Sequence, residues 1–513
     1  MTDASSTIAP ASSDQARNDK WLFWGCFMAL IATAFGFIIR TQIIDTWGVQ
    51  FGLSETEKGE IFGVGLWPFA VSIVLFSLII DRVGYGKAMV FAFLCHVVSV
   101  IITITATGYD MLYWGTFIVA LGNGTVEAVI NPVVATLFAK DKTKWLNILH
   151  AGWPGGLVFG GLLALAMGPE VDWRWKVGLI AIPIAIYAVL LIGRRFPIHE
   201  RVASGISYKD MLKEGGVLSA LLVVALIVRE VGTALGWSTG LQIGVGAVMV
   251  VAYGAYVQAV GRPMFIFLML IMIPLATTEL GTDSWITSLL GPAMTELGVQ
   301  AGWVLVYTSL IMMILRFFAG PIVHKLSPLG LLATSSVIAA FGLVALSSAA
   351  GAVAIFLAAT LYGLGKTFFW PTMLGVVAEQ FPKGGALTLN SIGAVGMLCV
   401  GVIGTVFLGN IQDKATDRDL LAKNPGLHAK VAGVEKTSVF GKYRPLDTAK
   451  IEQQSADDKT TIETIANASK KSALSTVAVF PCIMLVCYLI LIFYFKAKGG
   501  YKAQVLESSS GGG

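Results

Sequence analysis

Gly122-Asn123-Gly124-Thr125-Val126-Glu127-Ala128-Val129-Ile130-Asn131-Pro132 is matched much later in the chain by Leu361-Tyr362-Gly363-Leu364-Gly365-Lys366-Thr367-Phe368-Phe369-Trp370-Pro371. Both stretches lie inside long apolar runs. Each carries one charge in the middle and a proline five residues further on. Leu146-Asn147 after the first stretch is echoed by Leu389-Asn390 after the second. An ionisable side chain at membrane depth costs at least a few kcal/mol, so it is kept where it faces water or a partner. A doubled plan of this kind predicts a membrane protein made of two related halves around a polar pathway.

Composition agrees. Of 513 residues, 56% are hydrophobic and 13% charged, about half the charge of an average soluble domain. The five cysteines (Cys26, Cys95, Cys399, Cys482 and Cys487) all fall in apolar runs, so neither a disulfide framework nor a zinc site is expected. The net charge of +5 reports loop orientation at a membrane before it reports nucleic acid, and no nucleic-acid partner is expected. Residues 1–19 are polar and lack the plan of a signal peptide. Residues 507–513 read as a flexible linker. There is no phosphate-binding Gly-Lys-Ser/Thr loop, so ATP is not the expected energy source, and no cofactor or metal is expected.

Runs of about 20 apolar residues are long enough to span a bilayer. They fall at 20–43, 60–80, 87–107, 110–139, 145–168 and 174–194, then at 216–238 and 240–260. Six more follow at 263–290, 301–323, 328–349, 351–380, 385–408 and 473–496. The expected fold is therefore all-α with 14 spans: a six-helix half over 20–197, a linker and inserted two-helix hairpin over 198–262, and a second six-helix half over 263–496. Lys/Arg-rich loops recur on alternate turns: Arg17 and Lys20, Arg82 and Lys87, Lys140 to Lys144, Arg194 to Arg201, Lys325 and Lys383. This places both termini (the tails 1–19 and 497–513) in the cytoplasm, and it requires an even number of crossings between Arg201 and Arg262. Within the hairpin, Arg229-Glu230 reads either as a local ion pair near the outer surface or as a helix end. Residues 409–472 read as one long polar loop on the outer side.

A second repeat carries a resemblance. Asp81-Arg82-Val83-Gly84-Tyr85-Gly86-Lys87 follows the second span, and His324-Lys325-Leu326-Ser327-Pro328-Leu329-Gly330 follows the corresponding span of the second half. This twice-repeated loop resembles the hallmark loop of the major facilitator superfamily, over essentially the whole chain apart from the hairpin. His324 and Lys325 depart from the family's acid and base. The Gly122–Pro132 stretch with Leu146-Asn147 is similar, more narrowly, to the fucose–proton symporter family, in which the acid at the Glu127 position serves proton coupling and sugar binding. The first span departs from that family, with Arg40 and Asp45 in place of its membrane acid.

The superfamily resemblance implies that the first, fourth, seventh and tenth core helices line a cavity. Each carries an ionisable residue here: Arg40, Glu127, Glu279 or Asp283, and Lys366. Glu127 is the expected proton carrier, with Lys366 or Arg40 as its cationic partner. Fixed ion pairs holding the halves together are the bland alternative. Amides Gln42, Asn123, Asn131 and Asn390, with Thr278, His150, Trp285 and Trp370, are the expected remainder of a solute site. Asp81, Arg82, Gly84, Lys87, His324 and Lys325 are the expected gating loops, and Arg316 a packing residue. Gly152, Gly156 and Gly160, echoed by Gly393, Gly396, Gly401 and Gly404, offer small faces that allow close helix contact, read equally as faces on which the halves could slide or as static packing. The function expected is secondary active transport in the inner or plasma membrane. The solute is a neutral sugar or polyol carried with a proton by a monomer in the lipid bilayer. The alternatives are an organic-anion carrier using Arg40 and Lys366, and a membrane sensor that does not transport.

Overall fold

The structure is a computed structural model. It describes residues 13–53, 55–168, 170–282, 302–349, 351–400, 405–438 and 441–506. The first half consists of α1 (Ser13–Phe51), α2 (Glu57–Val83), α3 (Tyr85–Ile104), α4 (Tyr109–Leu137), α5 (Lys142–Ala166) and α6 (Trp173–Leu191). Helices α7 (Tyr208–Ala234) and α8 (Thr239–Val257) form a hairpin. The second half holds α9 (Pro263–Gly281), α10 (Leu305–Phe317 and Ala319–Leu326, bent by 64°), α11 (Pro328–Ser348) and α12 (Ala352–Gln380). It closes with α13 (Gly385–Cys399), α14 (Thr405–Lys423) and α15 (Ala456–Ala497).

Among the described residues, twelve helices are long and apolar enough to cross a membrane, or thirteen with bent α10 taken as one span. The thirteenth run, 385–408, is described as α13, which has 15 residues. Residues 401–404 lie outside the described residues. Two boundaries differ from the sequence reading. Helix α1 has 39 residues, or about 58 Å at 1.5 Å per residue, so it starts inside the polar tail and runs past the apolar core. The 409–472 segment is not one irregular loop. Helix α14, a short helix Pro425–Val431, strands β1 (Lys436–Ser438) and β2 (Gly441–Tyr443), and the start of α15 fold around Leu420, Leu427, Val431, Ile462 and Ile465. Those apolar residues are sparse in the sequence, but three helices bring them together.

The two halves repeat one local geometry. Gly84 closes α2 at φ 86° and ψ 143°. Ser327, its counterpart after α10, takes φ 63° and ψ 162°. A left-handed residue is natural for glycine and costly for serine. Ser327 compensates by accepting a bond from Gly330 N (3.3 Å), with Pro328 opening α11.

The hairpin's two feet are tied together. Val217 N donates to Ala259 O (2.9 Å) and Arg262 N to Glu214 O (3.1 Å), so the chain enters and leaves the hairpin at one level. Helix α8 is almost wholly exposed along its length, as suits a helix at the edge of a bundle. Arg229 and Glu230 form no ion pair, and α7 runs through them to Ala234, so the helix-end reading is not met.

Gly156 and Gly160 follow the packing reading rather than the sliding one. A Cβ on Gly156 would meet Ala34 at 2.6 Å and one on Gly160 would meet Ile38 at 2.8 Å, so these glycines pack α5 against α1 in the same half. Gly155 and Gly161 face the other half, toward Met313 and Val306 of α10. Gly401 and Gly404 lie outside the described residues.

Candidate functional site

The central polar site is built on prolines. A proline inside a helix has no N–H, so the carbonyl four residues back loses its helical partner. Pro154 frees the carbonyl of His150, Pro371 that of Thr367 and Pro132 that of Ala128. Each is taken up by a side chain. Arg316 Nη1 donates to His150 O (2.8 Å) and its Nε to Thr367 O (2.7 Å). Asn390 Nδ2 donates to Ala128 O (3.0 Å). The His150 and Ala128 bonds join the two halves, because Arg316 and Asn390 belong to the second.

Arg316 also pairs with Glu279, Nη2 to Oε1 at 2.7 Å, with both side chains buried. Trp370 N, at the restart of α12, donates to Glu279 Oε2 (2.9 Å). Glu279 sits in a π-helical turn, Thr277–Gly281, which widens the helix and is frequent at functional sites. Tyr362 OH bonds Thr278 O and Thr282 Oγ1 beside it.

Glu127 has a different environment. It is buried on α4, and Asn131 Nδ2 donates both to its Oε2 (2.6 Å) and to its backbone carbonyl (3.1 Å). Asn131 Oδ1 lies 2.9 Å from His150 Nε2. A chain of polar groups therefore runs Glu127–Asn131–His150. It meets Arg316 and Glu279 at the His150 carbonyl. Among the described residues no cation pairs with Glu127, so the Glu127–Lys366 pairing expected from the repeat is not present in this conformation. Lys366 is fully buried, its Nζ 5.5 Å from the centre of the Tyr362 ring.

Asn123, one turn before Glu127, binds His96 Nε2 (3.0 Å), and His96 Nδ1 binds Tyr187 OH (3.0 Å). Arg40 is half-buried, with Nη2 about 3.4 Å from where a Cβ on Gly36 would sit. Among the described residues it makes no hydrogen bond or ion pair. Buried Gln42 Nε2, Asn147 Oδ1 and Asn390 Oδ1 have no partner. Trp370 packs its ring on Gly393 and Gly396. Asp283 and Trp285 lie outside the described residues.

The face bearing the basic loops is sealed between the halves. Lys142 Nζ donates to Glu200 Oε1 (2.5 Å) and to Ala378 O (3.2 Å). Glu379 Oε1 accepts from Thr143 Oγ1 (2.5 Å) and N (3.2 Å), while its Oε2 accepts from Tyr501 OH (2.8 Å). Asn147 Nδ2 reaches Thr372 Oγ1 (3.1 Å). Asp81 pairs with Arg201, and Arg82 lies 5.5 Å from the Tyr208 ring centre. Lys87 and Lys325 are exposed, and His324 lies 3.7 Å from Asp141. His199, between Lys142 and Arg201, accepts from Arg201 N (3.1 Å). Burial first, then those two cations, pushes its imidazole down to about 3.

The sequence reading missed Glu379, Thr143 and Arg201 as closing contacts and took Arg316 for packing alone. The signal for Arg316 was present in Pro154 and Pro371, each of which leaves an unmet acceptor four residues back.

Residues 22–404 match the family model described as Major Facilitator Superfamily. The uncharacterized MFS-type transporter EfpA of Mycobacterium tuberculosis is 25% identical over 220 residues, 40% of this chain and 38% of that protein. The cis,cis-muconate transport protein of Acinetobacter baylyi is 25% identical over 175 residues, 34% of this chain and 42% of that protein. The chain thus spans about two fifths of the length of the curated relatives it matches. The solved structure of the E. coli fucose:proton symporter FucP superposes with a TM-score of 0.58 at 14% identity, covering 92% of this chain and 98% of that one.

Proposed function

The chain belongs to the major facilitator superfamily, and from that premise we propose that it is a proton-coupled transporter of a small organic anion. One observation carries the coupling: Glu127 is buried on a helix that lines the pathway in this superfamily, and its carboxylate is held by the neutral amide of Asn131. A proton can load there without breaking an ion pair. Glu279 differs, because Arg316 holds it as a fixed counterion that joins helices.

Arg40 argues for the anion. A guanidinium without a protein partner at membrane depth is matched in geometry and charge by a carboxylate. Three of the four amides expected to hold a sugar spend a hydrogen-bonding group elsewhere: Asn123 on His96, Asn131 on Glu127 and His150, and Asn390 Nδ2 on the Ala128 carbonyl. The order of the two substrate classes taken from sequence is therefore reversed. Charge balance is consistent with coupling. Moving one negative charge inward against a membrane potential costs about 2.3 kcal/mol per 100 mV, and each accompanying proton cancels one such charge, so a dicarboxylate needs two. A relative that carries cis,cis-muconate, a dicarboxylate, supports the same class.

A neutral polyol is the second reading, favoured by the unpartnered atoms Gln42 Nε2, Asn147 Oδ1 and Asn390 Oδ1, which suit hydroxyl groups. With the basic loops cytoplasmic, the sealed face is the inner one.

Proteoliposomes with an acid exterior test these readings. Labelled cis,cis-muconate should accumulate, and Glu127→Gln should abolish accumulation while leaving counterflow exchange, because glutamine keeps a hydrogen-bonding group but carries no proton. Accumulation of a neutral hexose, with muconate ignored, would select the second reading. Unchanged accumulation in Glu127→Gln would remove Glu127 from the mechanism.

A further inference from the structure

Away from the central site, Glu230 of the hairpin opens into a cavity of about 310 Å³ lined by Gly59, Phe62, Gly63, Leu66, Trp67, Met397 and Leu398. Three elements meet there: the N-terminal part of α2 up to Trp67, the end of α13, and α7 of the hairpin. Among the described residues Glu230 has no hydrogen bond or ion pair, and its chain neighbour Arg229 is exposed. A carboxylate left without a partner beside apolar walls is costly. Two aromatic side chains, Phe62 and Trp67, flank it, and aromatic faces attract cations. The space is also kept open by sequence: a Cβ on Gly59 or Gly63, one helical turn apart, would meet nothing within 4 Å.

We propose that this cavity binds an organic ammonium ion with a short apolar body, its charge on Glu230 and its body against Phe62 and Trp67. The inserted hairpin then has a chemical role. It supplies the one acid of a side site, at the seam where it packs on the transport core. The ammonium could belong to a soluble amine or to a lipid headgroup, since the chemistry is shared.

The full-length protein in nanodiscs of digalactosyldiacylglycerol, a neutral lipid without an amine, titrated calorimetrically with 2-phenylethylammonium and with neutral 2-phenylethanol, tests the site. Saturable binding of the ammonium is expected, at least about tenfold tighter than the alcohol, because only the cation offsets the carboxylate charge. Glu230→Gln should lower ammonium affinity about tenfold and leave the alcohol unchanged. Gly63→Leu should abolish binding by filling the cavity, with the unfolding temperature as a check that the fold is kept. Ammonium binding that is absent, or equal in wild type and Glu230→Gln, overturns the proposal. A second set of nanodiscs containing phosphatidylethanolamine identifies the source. A weaker apparent affinity for the amine in the wild type supports a lipid headgroup as occupant, and an unchanged affinity supports a soluble amine.

Discussion

Arg316 directs Nε, Nη1 and Nη2 at three groups on three different helices: the Thr367 carbonyl, the His150 carbonyl and Glu279. Lysine cannot reproduce that fork, because its donors radiate from one atom. Removing one partner of a buried pair leaves the other charge uncompensated, at about 3–5 kcal/mol. Arg316→Met should therefore lower stability by that order, and adding Glu279→Gln should recover part of the loss. A double-mutant cycle from thermal unfolding measures the coupling, and strict additivity would mean that the pair is incidental. At Arg40 the expected effect is on binding. Arg40→Gln should raise the KM for a carboxylate solute by tenfold or more with little change in unfolding temperature, since among the described residues no group loses a hydrogen-bond or ion-pair partner. A large loss of stability with unchanged KM would show a structural guanidinium instead. Sequence pointed to both arginines but misjudged Arg316, because its partners are backbone carbonyls that only proline spacing reveals.

At the scale of elements, the broken helix α12 is the clearest device. Pro371 leaves Thr367 O free, the helix restarts at Phe369, and Trp370 N turns to Glu279. Pro371→Ala restores an N–H that competes with Arg316 Nε for the Thr367 carbonyl. The variant should unfold at the same or a higher temperature yet transport several-fold more slowly, measured as initial uptake in proteoliposomes. Uptake at the wild-type rate would mean that the break is dispensable. The hairpin makes a separate prediction. Its feet are joined at Val217–Ala259 and Glu214–Arg262, so cysteines placed at exposed Ala203 and Arg262 should label from the same, cytoplasmic side of intact cells. Labelling from opposite sides would exclude two crossings. Much of this level was legible in the sequence. Apolar runs located the helices, and the Asp81 and His324 loops marked the repeat, down to the matching left-handed Gly84 and Ser327. The folded unit within 409–472 was not legible. Its small core draws on three helices, the last beyond a polar stretch, and no local period shows that they pack together.

For the whole molecule, the question is what holds the basic-loop face shut. The contacts come from four places in the chain: the start of α5 (Lys142, Thr143), the interhalf linker (His199, Glu200, Arg201), the end of α12 (Ala378, Glu379) and the C-terminal segment (Tyr501). His199 is the group among them that titrates in reach of physiological pH, and its surroundings fix the sign of the effect. In the closed face it is 6% exposed and its pKa is pushed down to about 3, by burial first and then by Lys142 and Arg201. When the face opens to water, an imidazole returns toward about 6.5. Above that value both states are neutral at His199 and closure is unaffected. As pH falls from about 6.5 toward 3, the open state takes up the proton and the closed state does not, so closure weakens progressively. At pH 5 the shift is worth about 2 kcal/mol, or roughly thirtyfold in the closed-to-open ratio, if opening hydrates the ring fully. A cysteine at Ala135, which lines the small cavity beside His199 between the halves, reports the opening. Its labelling rate in nanodiscs should rise as pH is lowered from 7 to 5. His199→Asn keeps an acceptor for Arg201 N but has no titration in this range, and its labelling should stay flat. A rise of equal size in the His199→Asn protein would place the pH sensitivity elsewhere.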